Sequence, residues 1–288
     1  MQSFHSYVAL MKLRVVELLI ITTVPALFLA AKGWPPIVPT IASLIGGTLA
    51  AGAANTFNMV IEAESDKLMS RTKHRPIAAG ELTKKQASNF AILLMITSLL
   101  IFWYFTTPLA TLLTSFAILF YVAIYTVLLK PNTNQNIVWG GIAGCMPALI
   151  GWAAVTNSLD LSAWLFFLVI FFWTPPHFWA IAIKYREDYA AAKIPMLPVV
   201  ASHKRLRIEM WFHTISMIVV SVILILVENM PQWTLLITIV LAIVFSQQLL
   251  GLKEGGEDQD KVASRIFNYS ITYLTLYSLL LVVGVLLR

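Results

Sequence analysis

Nine apolar stretches, each near the ~20 residues that a helix needs to cross a bilayer, divide this chain: about 15–31, 37–61, 86–105, 107–129, 136–155, 162–183, 208–227, 231–251 and 265–287. Inside hydrocarbon no water satisfies backbone N–H and C=O groups, so only helices or closed barrels can span. No segment alternates with the period of a strand, and the reading is an all-α integral membrane protein with nine transmembrane helices. Only 12% of residues are charged and 59% are hydrophobic, against about 25% charged in soluble domains. Little of the chain can face water. The longest polar loops are 62–85 and 184–207, so residues 1–288 read as a single transmembrane domain.

The basic residues orient these spans. With a cytoplasmic amino terminus, Lys12, Arg14, the cations of the 62–85 and 184–207 loops, Lys130, Lys253, Lys261 and Arg265 share one side, and only Lys32 and Arg288 fall on the other. Such asymmetry is what the positive-inside rule demands. It predicts both long loops in the cytoplasm and the carboxyl terminus outside. The net charge of +6 is then a matter of topology and calls for no nucleic-acid partner. Cys145, the one cysteine, lies in the fifth span, which excludes a disulfide or thiolate-metal framework. No small-residue cleavage site closes the first span, which reads as retained.

Chemistry concentrates where the second span meets its loop. Asn58, Glu62 and Asp66 recur every fourth residue, and at ~100° per residue a helix carries them along one stripe. Hard oxygens so placed suit Mg²⁺, which takes one or two carboxylates and fills its other positions with water or phosphate oxygens. Arg71 and Arg75 follow directly, and the implied substrate carries a diphosphate. The bland reading is a solvated, topogenic loop, and it is accepted for Lys67, Lys73, Lys84, Lys85, Lys204 and Arg207. Asn55 and Asn58 differ, because an unsatisfied amide in an apolar run costs on the order of 1–3 kcal/mol. The second loop begins with Pro175-Pro-His177-Phe-Trp179 and continues through Lys184, Asp188 and Ile194-Pro-Met-Leu-Pro198. His177 alone fits a satisfied core group, a proton carrier or an axial ligand to iron.

The N-x-x-x-E-x-x-x-D stripe followed by R-T-x-x-R-P resembles the first aspartate-rich motif of the UbiA superfamily of intramembrane prenyltransferases. Further segments are similar to the protohaem IX farnesyltransferase family within it. They are Arg71–Ile77, Tyr125–Lys130, Asn136–Gly144, Leu149–Thr156, Pro175–Ala180, Asp188-Tyr189 and Ile194–Pro198. The likeness runs from residue 12 to about 200.

This resemblance implies nine helices around a central cavity, two polar loops at its cytoplasmic mouth, and placement in the cell membrane of a prokaryote. It implies transfer of a farnesyl group from farnesyl diphosphate to the 2-vinyl group of haem b, with addition of water. The product is haem O for haem–copper terminal oxidases. Mg²⁺ is the implied cofactor, held by Asn58, Glu62, Asp66 and Asp188, while Arg71, Arg75 and Lys184 take the charge of the leaving diphosphate. His177 becomes the candidate haem contact. A haem A synthase or oxidase-assembly factors are the suggested protein partners. Two departures stand out: Glu62 where the superfamily often has aspartate, and Lys184-x-x-x-Asp188 in place of D-x-x-x-D. The rival readings are a quinone-pathway aromatic prenyltransferase and, from another class, a membrane transporter, whose ionisable groups belong near the midplane.

Overall fold

With no water available to the backbone, each apolar run closes its own hydrogen-bond ladder. The computed structural model describes residues 2–253 and 258–288, without the side chains of residues 2, 3, 14 and 15, so topogenic Arg14 lies outside what is described. In chain order the helices are α1 (Gln2–Leu10), α2 (Leu13–Ala31), α3 (Ile37–Ile61), α4 (Ala63–Asp66), α5 (Lys84–Phe105) and α6 (Pro108–Leu119). α6 runs without interruption into a π-helix, Phe120–Leu129, and then α7 (Lys130–Asn132). There follow α8 (Asn136–Thr156), α9 (Leu161–Lys184), α10 (Arg186–Ala191), α11 (Leu197–Val200), α12 (His203–Val227), α13 (Gln232–Leu250) and α14 (Gln259–Leu286).

Eight helical segments among the described residues are long and apolar enough to cross a bilayer: α3, α5, α6 with its continuation, α8, α9, α12, α13 and α14. The expected first span is the exception. α2 has 19 residues, but its apolar part is only Val16–Ala31. The other spans begin or end within a few residues of the sequence reading, except that α12 and α14 start earlier than their apolar runs. Ser202 caps α12 by accepting from Arg205 N–H, and Asp258 caps α14 by accepting from Asp260 N–H. Capping lets a polar turn extend each helix beyond its apolar run.

α8 and α9 are the most enclosed spans. α8 packs on α2 and α9, α9 on α12 and α14, and α3 on α5. Small residues permit this closeness, as expected where lipid removes the hydrophobic drive between helices. Ser98 Oγ donates to the carbonyl of Gly46 at 2.6 Å, and a Cβ on Gly46 would come within 2.8 Å of the Phe102 ring. A Cβ on Gly151 would meet the Thr23 carbonyl at 3.0 Å. Large apolar side chains such as Leu93, Leu112, Ile208 and Leu236 point outward. Pro25, Pro147, Pro175 and Pro176 lie within helices, where neighbouring spans shelter the interrupted ladder.

Candidate active site at the mouth of an intramembrane cavity

α3 ends at Ile61, so Asn58, Glu62 and Asp66 do not lie on one continuous helix as the stripe implies. Their register nevertheless survives the break. Glu62 N–H donates to Asn58 C=O at 2.9 Å and Asp66 N–H to Glu62 C=O at 2.8 Å, the i→i−4 pattern carried across the cap. All three side chains are buried, at 2%, 8% and 1% exposure, which rules out the solvated-loop reading for them.

Each oxygen group has met a cation. Arg75 Nη1 donates to both oxygens of Asp66 at 2.8 and 2.7 Å and stands 3.8 Å from Glu62. Lys130 Nζ donates to Glu62 Oε1. Lys12 Nζ donates to Asn58 Oδ1 at 3.0 Å, and the Asn58 amide donates to Thr126 Oγ1 at 3.2 Å. Asn55 spends its amide on the Met11 carbonyl, at the bend that aims Lys12 inward. Burial by itself raises the Glu62 carboxyl, but Lys130, Lys12 and Arg75 outweigh it and hold Glu62 below the usual carboxylate range. Burial, and then Arg75, hold the Lys12 ammonium well below the ordinary lysine value.

Thr126 and Lys130 belong to the π-helical turns. Thr126 Oγ1 donates to the Tyr121 carbonyl five residues back, at 2.9 Å. The wider turn puts Tyr125 and Lys130, five apart, toward the same cavity. Gly140 of α8 lies so near that its Cβ would fall 2.1 Å from the Tyr125 ring.

The second loop is placed differently from expectation. Asp188 accepts from Ser70 Oγ at 2.6 Å and from Arg71 N–H at 3.3 Å, clasping the two loops together. The Ser70 hydroxyl is the chief reason that its carboxyl titrates below the normal range. Lys184 lies over the Tyr185 ring at 5.9 Å, and neither Lys184 nor Asp188 lines the cavity. Arg71 does line it, donating to Tyr189 Oη at 3.3 Å. Among the described residues no three Asp, Glu, His or Cys side chains gather as a metal cluster, so Asp188 is not brought to the stripe. Glu62 and Asp66 do meet at one guanidinium nitrogen, with Asn58 alongside. Two carboxylates and an amide oxygen are a donor set that fits Mg²⁺ when phosphate and water complete its shell.

Behind this mouth opens a cavity of about 330 Å³. Lys12, Asn58, Arg71, Arg75 and Lys130 line its polar end, and Ala54, Ile118, Ile150 and Ile170 are among its apolar walls. His177 stands one layer behind, stacked between Trp173 at 4.2 Å and Phe267 at 4.6 Å, and it does not line the cavity. Its tautomer follows from its neighbour. Ser270 Oγ lies 2.6 Å from the Phe267 carbonyl, which can only accept, so the single serine proton goes there. His177 Nδ1 therefore donates to Ser270 Oγ at 2.7 Å, and Nε2 keeps its lone pair.

Sequence reasoning missed Lys12 and Lys130, counted only as topogenic charges, and Tyr121, Tyr125 and Tyr189 as cavity residues. Lys130 had a signal: a glutamate with no nearby partner on its own stripe needs a buried cation from another span.

A helical membrane bundle that holds an apolar cavity behind a cation-rich, carboxylate-backed mouth defines an intramembrane enzyme for a phosphorylated apolar chain. The chain belongs to the UbiA prenyltransferase family, whose profile matches residues 19–285. It is 43% identical over 286 residues to the protoheme IX farnesyltransferase of Paenarthrobacter aurescens, covering 98% of this chain and 89% of that one. To the enzyme of the same name from Frankia casuarinae it is 46% identical over 275 residues, covering 94% of each. Among solved structures, a digeranylgeranylglyceryl phosphate synthase superposes with TM-score 0.81 at 17% identity over the full length of both chains. A UbiA homolog from Archaeoglobus fulgidus bound to GPP and Mg²⁺ superposes with TM-score 0.69 at 12% identity, covering 96% of this chain and 99% of that one. These likenesses carry the fold.

Proposed function

We propose that the protein transfers a farnesyl group from farnesyl diphosphate to the 2-vinyl group of haem b, with addition of water, to give haem O and diphosphate. The observation that carries this reading is the mouth, where Lys12, Arg71, Arg75 and Lys130 meet an apolar cavity with buried carboxylates behind them. The acceptor follows from the relatives named protoheme IX farnesyltransferase.

Arg71 and Arg75 bind the diphosphate oxygens and take up the charge that grows as the C–O bond breaks, and preorganised cations there cost no reorganisation. Lys130 and Lys12 hold Glu62 and Asn58 in place. Asn58, Glu62 and Asp66 would hold Mg²⁺, which when bound neutralises the leaving oxygens. Release of the Ser70 clasp would add Asp188 to that set and bring Lys184 to the phosphates. Tyr121, Tyr125, Trp173 and Phe178 line the cavity, excluding water from the allylic cation while their ring faces stabilise it. The cation alkylates the vinyl group, water captures the second cation, and the proton that this water loses leaves with the diphosphate. His177 serves haem through Nε2, the nitrogen left free by Ser270. The mouth faces the cytoplasm of a bacterial cell and the carboxyl terminus faces out, where the product passes to a haem A synthase or oxidase-assembly factors.

Purified protein supplied with Mg²⁺, farnesyl diphosphate and haem b should yield haem O by mass detection. Intact haem b after long incubation with well-folded protein would overturn the assignment.

A further inference from the structure

The cavity has a polar end that the reaction does not use. Far along α3 from Asn58, its lining includes two buried hydroxyls, Ser43 on α3 and Thr114 on α6, 2% and 1% exposed. Thr114 donates to the Ala110 carbonyl of its own helix at 2.8 Å. Ser43 Oγ has no hydrogen-bond partner among the described residues, although it is buried and lines the cavity. A hydroxyl in apolar surroundings without a partner is costly to keep. An apolar chain end that reached this floor would meet hydroxyls in place of hydrocarbon and could offer them no hydrogen bond.

Between mouth and floor the stripe of α3 is smooth. It runs from Asn58 through Ala54 and Ala51 to Gly47 and Ser43, all lining the cavity. A Cβ on Gly47 would meet nothing within 4 Å, and the same holds for Gly144 across the cavity on α8. Asn58 and Ser43 are fifteen residues apart, which at ~1.5 Å rise per residue is about 22 Å. Three isoprene units, extended at ~1.25 Å per C–C bond and joined to a diphosphate, measure about 20 Å. Two units leave about 7 Å of that length unfilled, and four would drive about 3 Å of chain into the hydroxyls.

We propose that Ser43 and Thr114 form a hydroxyl floor that stops the prenyl chain, with Gly47 as the open wall above it, so that α3 gauges a chain of three isoprene units from its diphosphate end. This rests on the proposed prenyl transfer for its substrate class, and it names the residues that select chain length.

The test compares binding of the C10, C15 and C20 prenyl thiodiphosphates to the full-length protein by calorimetry, with turnover on haem b measured alongside. Wild type should bind the C15 compound best. Gly47→Leu, which fills the lower wall, should shift preference toward C10 by about tenfold or more, the scale at which a pocket reads a few methylenes. Ser43→Ala, which removes the hydroxyl with little change of shape, should narrow the margin between C15 and C20 by a similar factor. The proposal is overturned if wild type binds the three lengths alike, or if both variants weaken all three in parallel. A wild type that binds C15 best yet makes no haem O leaves the gauge standing and removes the transfer reaction instead.

Discussion

Asp66 presents both carboxylate oxygens to a single nitrogen of Arg75, and its value to the protein is charge in a place where charge is hard to keep. Asp66→Asn preserves size and removes that charge from the proposed metal set. The variant should fold, since the apolar spans carry stability, but its haem O turnover should collapse, and near-wild-type turnover would refute the role. Lys130 and Glu62 test the energetics separately. Removing one partner of a buried pair typically costs about 3–5 kcal/mol, less here because Arg75 stands 3.8 Å from Glu62. Lys130→Met should therefore lower unfolding stability in detergent, and adding Glu62→Gln should restore part of it. A double variant less stable than the single would contradict this. Arg75→Ala and His177→Ala separate the two substrates. The first loses a charge-assisted contact of about 1.5–3 kcal/mol, roughly tenfold or more in farnesyl diphosphate affinity, with haem binding intact. The second should weaken haem b binding and alter its optical spectrum. An unchanged spectrum and affinity would return His177 to the role of a packed residue held by Ser270. The stripe and the arginines were legible because their spacing and chemistry are local. Lys12 and Lys130 were not, since nothing local tells a topogenic lysine from one whose ammonium turns inward.

At the scale of elements, the contact between α8 and the π-helix is the tightest at the site. Gly140→Ala would place its methyl inside the Tyr125 ring as it now stands, so the ring must leave its place in the cavity wall or the helices must separate. Overpacking of this kind costs about 1–3 kcal/mol. Turnover should fall with that loss, and a structure of the variant should show Tyr125 moved. Unaltered melting and kinetics would mean that α8 shifts freely. Helix positions were legible because the hydrophobic thickness of a bilayer sets their length. The π-helical turns were not, because Phe120–Leu129 is as apolar as any α-helical span and its distinguishing bonds, such as Lys130 N–H to Tyr125 C=O, are backbone geometry without a compositional mark. The break after Ile61 escaped for a related reason, since a four-residue spacing reads the same whether the helix continues or pauses at Glu62.

Over the whole molecule, the proposed orientation is open to direct measurement. Buried Cys145 is the only native thiol, so single cysteines at Lys73 and Lys204 should react with impermeant reagents only from the cytoplasm, and one at Arg288 only from outside. Labelling of Arg288→Cys from the cytoplasm would dismantle the odd number of crossings. The count is where global reading met its limit. The apolar part of α2 is only Val16–Ala31, shorter than the eight other crossings, so the ninth crossing rests on the charge asymmetry of the loops. The pairing of Arg75 with Asp66 also bears on how such a protein is made. These residues are nine apart, and a loop so small closes at little entropic cost. The pair can form as soon as the loop leaves the ribosome, before any later span exists, whereas Glu62 waits for Lys130, sixty-eight residues on. Until then Glu62 has only the more distant Arg75, 3.8 Å away, and the arrival of Lys130 supplies its close partner.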